Sequence, residues 1–293
     1  MAIESSGPIS LGTTAGADRS ISAEFGGDAP HALSEYYDKG NAPSSGEIQL
    51  AADFYGTSAA NTDRPGDGAY DSDAYTVLLI HSDTSDGSTT FDDSGVTDHT
   101  ITANSNCAHS TSQAKIGASS ISFPDSESNY LSMADHSDWT IQNNWTIEAW
   151  VRYDVLPHLN TNNIEQIVSQ HEDTSNYWWA ALHEGADSNK DKLRIYAEDG
   201  GSGVFNISSD DVDLSVDTWY HVAFVRDGDT ARFFLDGVAK GTGSLTENMP
   251  SLAGSMFIGS SNDWGGVGSN MRGYIDELRI SNIARWTSNF TVY

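Results

Sequence analysis

Asp and Glu number 42 in 293 residues, against 14 Lys and Arg, nine His and one Cys, so the spacing of the carboxylates is the first thing to weigh. A nucleophile and an acid/base acting across a glycosidic bond need two carboxyl groups on one sheet face about 5 Å apart, which alternate residues of a strand supply. The phrase TIEAWVRYD offers Glu148 and Asp154, but Trp150 and Arg152 stand between them, so Glu148 reads as a structural strand-face residue. Asp276 and Glu277 are adjacent, point to opposite faces of an extended strand and cannot act as a pair. The acidic run DTSDGSTTFDD, Asp83 to Asp93, lacks the alternating ligands and distal Glu of an EF-hand loop. His171-Glu172 and His183-Glu184 lack the HExxH spacing of a zinc helix. Cys107 has no basic neighbour to depress its pKa, and reads as a buried, inert thiol. No catalytic residue emerges, and the protein is expected not to be an enzyme.

Two phrases suit a ligand that offers C–H faces to rings and hydroxyls to planar polar groups, as sugars do. NYWWAALHEG brings Tyr177, Trp178 and Trp179 onto one strand, and SSNDWGGVGSN combines Asn262, Asp263 and Trp264 with flexible Gly residues. Tyr177, Trp178, Asn262, Asp263 and Trp264 are therefore the candidate ligand-binding residues. The same rings would serve equally as core or interface packing, because aromatics dominate both.

The elements that must position these groups are short strands. TVLLIH, WTIEAWVRYD, TWYHVAFVRDGDTARFFLDGVAKG, SMFIGSS and GYIDELRIS are β-branched and aromatic runs separated by acidic, Gly-rich turns. Within the central phrase, Asp227-Gly228-Asp229 and Asp236-Gly237 predict tight hairpins, since Gly tolerates the positive φ of a primed turn. The length allows one large all-β domain plus an extension. With only 14 Lys and Arg the formal net charge is -28, which disfavours nucleic acid and anionic membranes as partners. A single cysteine excludes an internal disulfide, so the fold stands on its core, on metal or on assembly. The opening MAIESSGPISLGTTAG has neither a basic n-region nor a long apolar stretch, which argues against secretion and membrane insertion.

Residues 1 to 70 differ in texture. ISAEFGG, HALSEYY and EIQLAADFYG are apolar islands too short to enclose a core, and are expected to order by packing on another surface. Ser20 could cap a brief helix ending near Phe25, with further turns at 34–37 and 50–55; helices this short are marginal alone. Composition by itself would equally describe a disordered tail. The expected organisation is an N-terminal segment at 1–55, a Gly/Asp-rich linker at 56–74 and a β domain at 75–293.

The ordered series LLIHSDTSDGSTTFDDSG, ISFPDSESNYLSM, TIEAWVRYD, WYHVAFVRDG, ARFFLDGV, FIGSS and GYIDELRISNIARWTSNF resembles a concanavalin A-like lectin/glucanase jelly roll of the laminin-G-like group. The resemblance implies an all-β, two-sheet antiparallel jelly-roll sandwich behind an extended N-terminal segment with short helical turns. The ending IDELRI…ARWTSNF resembles the form found in bacteriophage virion proteins. ISAEFGG, HALSEYY and IQLAADFYG resemble the N-terminal anchor of structural proteins of marine tailed phages, with Phe25, Tyr36, Tyr37, Phe54 and Tyr55 as anchoring side chains. The GTTAGADRS insertion and the extra alanines before Asp53 depart from the usual anchor spacing.

The same resemblance implies a structural Ca²⁺, with Asp276 carried over to the metal-site aspartate and Asp83 and the loop around Asp125 as further donors. Such hard oxygens suit a cation that takes 6 to 8 of them. The alternative is that Asp276 hydrogen-bonds backbone at a strand entrance and Asp83 is an ordinary turn residue. The implied function is a virion structural protein, a capsid-surface decoration or tail-associated adhesin, that displays a glycan- or protein-binding domain. It would be assembled in the host cytoplasm, bound to other virion proteins through its N-terminus, and homo-oligomeric, with a host-surface glycan as ligand. A free carbohydrate-binding lectin and a polysaccharide-degrading enzyme are the alternatives.

Overall fold

A computed structural model of the chain describes residues 72–124, 129–159, 163–260 and 270–292. The expected anchor positions Phe25, Tyr36, Tyr37, Phe54 and Tyr55 lie outside these, as do Asp125, Asn262, Asp263 and Trp264. The strands in chain order are β1 (Thr76–Ile80), β2 (Thr102–Asn104), β3 (Ala108–Ser110), β4 (Ser120–Phe123), β5 (Tyr130–Met133), β6 (Asn144–Tyr153), β7 (Ile164–Asp173) and β8 (Asn176–Glu184). They continue as β9 (Asp191–Asp199), β10 (Ser202–Ser208), β11 (Trp219–Asp227), β12 (Thr230–Leu235), β13 (Val238–Ser244), β14 (Ser255–Ile258) and β15 (Gly273–Ser281).

Eight strands form one sheet in the order β13-β12-β11-β6-β15-β4-β3, with β1 also paired to β15; seven form the other, β10-β9-β8-β7-β14-β5-β2. All named strand pairs are antiparallel, and the two sheets make the jelly-roll sandwich that the phrases implied. The turn chemistry is as read. Asp227 pairs with Thr230 across Gly228 at φ 59, and Leu235 pairs with Val238 across Asp236 and Gly237, both at positive φ as a type I′ turn requires.

Strict alternation builds the core. On β6, Trp145, Ile147, Ala149, Val151 and Tyr153 face inward, against Trp178, Ala180 and Leu182 of β8 and Leu193, Ile195 and Ala197 of β9. Cys107 joins this core, and burial pushes its thiol well above the ordinary range, in keeping with an inert role. Among the described residues no helix is long and apolar enough to cross a membrane.

The outer faces of the two sheets are treated differently. Over the eight-stranded sheet, Ala284, Trp286 and Phe290 pack on Ala223, Val225 and Phe234. Trp286 and Phe290 stack at 3.9 Å, and Phe290 donates its backbone N–H to the Gly237 carbonyl at 2.9 Å. Further along the same face, Lys115 places Nζ 4.1 Å above the Trp150 ring. The ARWTSNF ending is thus a cover for one sheet, which leaves the other sheet to be considered as the accessible face.

Candidate functional site

On β8 the period of two sends Trp178 into the core, where it is fully buried and donates Nε1–H to Gln170 Oε1 at 3.2 Å. Its place in the ligand site is therefore corrected: a ring between the sheets cannot meet a ligand. Tyr177, Trp179 and His183 project the other way. β9 sets Arg194, Tyr196 and Glu198 beside them, because Tyr177 pairs with Glu198, Trp179 with Tyr196 and Ala181 with Arg194. β10 adds Asn206 opposite Tyr196.

These side chains form one connected platform. Trp179 stacks on Tyr196 at 5.5 Å with 23° between planes, and on His183 at 6.3 Å with 10°. The Arg194 guanidinium lies 5.5 Å from the Trp179 ring, donates Nε–H to Asn206 Oδ1 at 2.7 Å and lies 3.0 Å from His183 Nε2. Glu198 Oε2 accepts the hydroxyls of both Tyr177, at 2.8 Å, and Tyr196, at 2.9 Å. Tyr177 itself is only 5% exposed and stacks on His171, so it supports Tyr196 from behind. Trp179, Arg194, Tyr196 and His183 remain partly exposed, and Asn206 is exposed.

Electrostatics keep the platform in one state near neutral pH. Burial, reinforced by the Glu198 carboxylate, raises both tyrosine hydroxyls, so they stay protonated donors. Burial lowers the His183 imidazole, opposed by its bond to the Glu184 carbonyl and aided by Arg194, so neutral Nε2 can accept from the guanidinium. Flat, half-exposed rings flanked by a fixed guanidinium, an imidazole and an amide can hold a sugar by its C–H face and its hydroxyls. The Ser260 carbonyl accepts from Ser169 Oγ at 2.8 Å, and Ser169 is the cross-strand partner of Trp179; Asn262, Asp263 and Trp264 lie outside the described residues. Sequence reasoning missed Trp179, Arg194, Tyr196 and Asn206 as a group. The alternation in LRIYAED, with Arg194, Tyr196 and Glu198 at every second position, was the available signal.

The acidic corner has a different character. β15 pairs with β4 through Gly273–Ile275 and with β1 from Leu278 onward, and the bulge between them carries Asp276 and Glu277, the latter at φ 49. Asp276 Oδ2 accepts the backbone N–H groups of Lys115 at 2.8 Å and Ile116 at 3.0 Å, so it does bond backbone, while its Oδ1 is buried without a hydrogen-bond partner. Asp83 reaches the same loop and accepts the Ala118 N–H at 2.7 Å. Glu277 takes His81 Nδ1 at 2.8 Å. An orphan buried carboxylate oxygen beside further acidic groups suits a hard cation in its donor chemistry.

Burial pushes the Asp276 carboxyl up to about 7, helped by the neighbouring Glu277 and opposed by the two backbone donors. The folded protein therefore holds this proton to higher pH than the unfolded chain. The stability this contributes is full below the ordinary Asp range and is lost as pH rises through about 7. With divalent cations removed, the melting temperature of the wild type minus that of Asp276→Asn is expected to fall as pH is raised from about 4 to 7. A difference that does not change with pH would contradict this assignment.

Glu148 is held by Arg279 on β15, and Asp154 by Arg152 at 2.8 Å, so the two carboxylates of TIEAWVRYD are bound apart and form no pair.

The family described as the concanavalin A-like lectin/glucanases superfamily matches residues 125–288. No curated protein matches the chain. Among solved structures the chain is similar to domain 4 of AbnA, a GH43 extracellular arabinanase from Geobacillus stearothermophilus, in complex with arabinotriose. That similarity runs at 20% identity and a TM-score of 0.52 over 72% of this chain and 93% of the other. It is also similar to the binding domain of botulinum neurotoxin serotype D, at 12% identity and a TM-score of 0.53 over 72% of this chain and 49% of that one. The binding domain of Paraclostridial Mosquitocidal Protein 1 matches at 12% identity and a TM-score of 0.52, with the same two coverages. The chain thus spans about half the length of the two toxin domains. At these identities the likeness establishes the fold.

Proposed function

The chain belongs to the concanavalin A-like lectin/glucanases superfamily, and from that premise we propose that it is a non-catalytic glycan-binding protein whose site is the outer face of β8, β9 and β10. The observation that carries this reading is the Trp179–Tyr196 ring pair, partly exposed and flanked by Arg194, His183 and Asn206. Two stacked rings give a sugar a hydrophobic floor, and the polar rim reads its hydroxyls. The arabinanase domain solved with arabinotriose lends support, as an oligosaccharide-associated example of the same fold. The test is a panel of soluble polysaccharides and oligosaccharides, arabinan-type chains included, scored for both retention and chain cleavage. Retention without cleavage is expected; cleavage would replace this reading with that of an enzyme.

The phrases ISAEFGG, HALSEYY and IQLAADFYG favour a finer reading, a phage virion protein anchored by residues 1–55 and displaying the jelly roll outward. Symmetric display would convert weak single-site affinity into firm attachment. Deleting residues 1–70 is expected to abolish incorporation into particles and leave glycan retention intact. We also propose structural Ca²⁺ at the acidic corner, held by Asp276 and Asp83 with the loop at Asp125, on the strength of the orphan Asp276 Oδ1. Added Ca²⁺ should raise the melting temperature of the wild type and leave that of Asp276→Asn unmoved.

A further inference from the structure

At the far edge of the seven-stranded sheet, away from the aromatic platform, two histidines and an aspartate converge from separate segments. His99 comes from the loop ahead of edge strand β2, and His136 and Asp138 from the 3₁₀ turn that follows β5. Asp138 Oδ2 lies 3.2 Å from His99 Nε2 and 3.3 Å from His136 Nδ1, and the three atoms all fall within 4.8 Å of one another. Among the described residues, this is the one group of three imidazole, thiol or carboxylate side chains that meets so closely.

Two features separate this cluster from an ordinary ion-pair triad. The His99 side chain is 7% exposed, and its Nε2 is buried without a hydrogen-bond partner, although Asp138 Oδ2 is only 3.2 Å away. The nitrogen therefore points past the carboxylate rather than at it. The spacing also matches coordination: two ligand atoms of a tetrahedral zinc ion, bonded at ~2.0–2.1 Å, sit about 3.3 Å apart.

The surroundings hold the ligands in place. The His99 ring lies against Trp139 at 4.3 Å and meets His136 edge-on at 4.9 Å, and Trp139 is itself fully buried with Nε1–H donated to the Ala134 carbonyl. The Thr97 hydroxyl donates to Asp138 Oδ2, the kind of outer contact that orients a ligating carboxylate. His136 Nδ1 accepts the Asp138 backbone N–H at a long 3.2 Å, which requires that nitrogen to be unprotonated and leaves its lone pair weakly engaged. His136 is 43% exposed, so its ring has room to rotate and close the third edge.

We infer that His99, His136 and Asp138 form a binding site for a borderline divalent transition metal, zinc above all, with water completing a tetrahedral set on the exposed side. Imidazole nitrogens with one carboxylate suit Zn²⁺ better than Ca²⁺, which prefers a larger set of oxygens. Bound metal would tie the loop before edge strand β2 to the turn after its partner β5.

The test uses the full chain without a polyhistidine tag, stripped of metal and titrated with Co²⁺ as a spectroscopic stand-in for Zn²⁺. Intense visible bands of tetrahedral cobalt at one equivalent, bleached by one equivalent of Zn²⁺, are expected. His136→Gln, at an exposed position, and Asp138→Asn should each weaken binding at least about 100-fold, the upper end of what losing an outer contact costs. Absence of bands, weak octahedral bands alone, or intense bands that persist in both variants would overturn the site.

Discussion

Replacing Glu148 with Gln is expected to lower the melting temperature by about 6–20 °C, the shift that ~3–5 kcal/mol produces in a domain of this size. Glu148 sits on β6 under the C-terminal cover and is 1% exposed, and Arg279 opposite it on β15 is fully buried. Glu148 Oε1 accepts Arg279 Nε–H at 2.9 Å and Nη2–H at 2.7 Å, while Oε2 accepts Trp286 Nε1–H at 2.9 Å and lies 3.3 Å from His221 Nε2. One carboxylate therefore ties β6, β11, β15 and the covering segment together. Gln keeps the shape and removes the charge, which strands a buried guanidinium.

Burial alone would raise the Glu148 carboxyl, but Arg279 and His221 overcome it and hold the group well below the usual carboxylate range. Its stabilising contribution is thus present above the ordinary Glu range and is lost only as pH falls below it toward the depressed value. A thermal melt checks the size of the effect. The double variant Glu148→Gln/Arg279→Met should recover most of the loss, because the unpaired charge is what costs. A Glu148→Gln melt within about 1 °C of wild type would show that the cluster is not what closes this face.

Trp179→Ala is expected to weaken glycan retention roughly 30-fold or more, the scale of an aromatic hot spot, while leaving the melting temperature nearly unchanged. Trp178→Ala, one residue away, is expected to do the reverse, costing ~3–5 kcal/mol of stability through the cavity it leaves. The contrast follows from β8 alone, since adjacent rings on a strand face opposite sides. Affinity electrophoresis against whichever polysaccharide is retained, with a thermal melt of each variant, separates the two outcomes. Full retention by Trp179→Ala would remove the platform as the binding site even if the protein proves to be a lectin.

Much of the fold was legible. The alternation of TIEAWVRYD and TWYHVAFV is written in adjacent residues, and the Gly228 and Asp236-Gly237 hairpins sit where local φ demands placed them. Less of the site was legible. Tyr177 and Trp178 were equivalent as letters in NYWWAALHEG, and only the register of β8 against β7 and β9 shows that one supports the platform and the other is core. Arg194 and Asn206 lie 12 residues apart and meet only because β9 and β10 fold back on each other. His99 carried no motif, since its companions His136 and Asp138 lie far along the chain and arrive through the pairing of β2 with β5.

By itself the sequence determined that this chain would be an acidic, all-β sandwich with tight Gly turns and no disulfide, because strand period, turn chemistry and charge are properties of neighbouring residues. Tertiary structure alone decided which sheet face is left open. The Trp286–Phe290 segment packs over β11 and β12 on one outer face, and the Glu148–Arg279 pair joins residues 131 positions apart. Such contacts depend on register across the whole sandwich, and no local pattern encodes them.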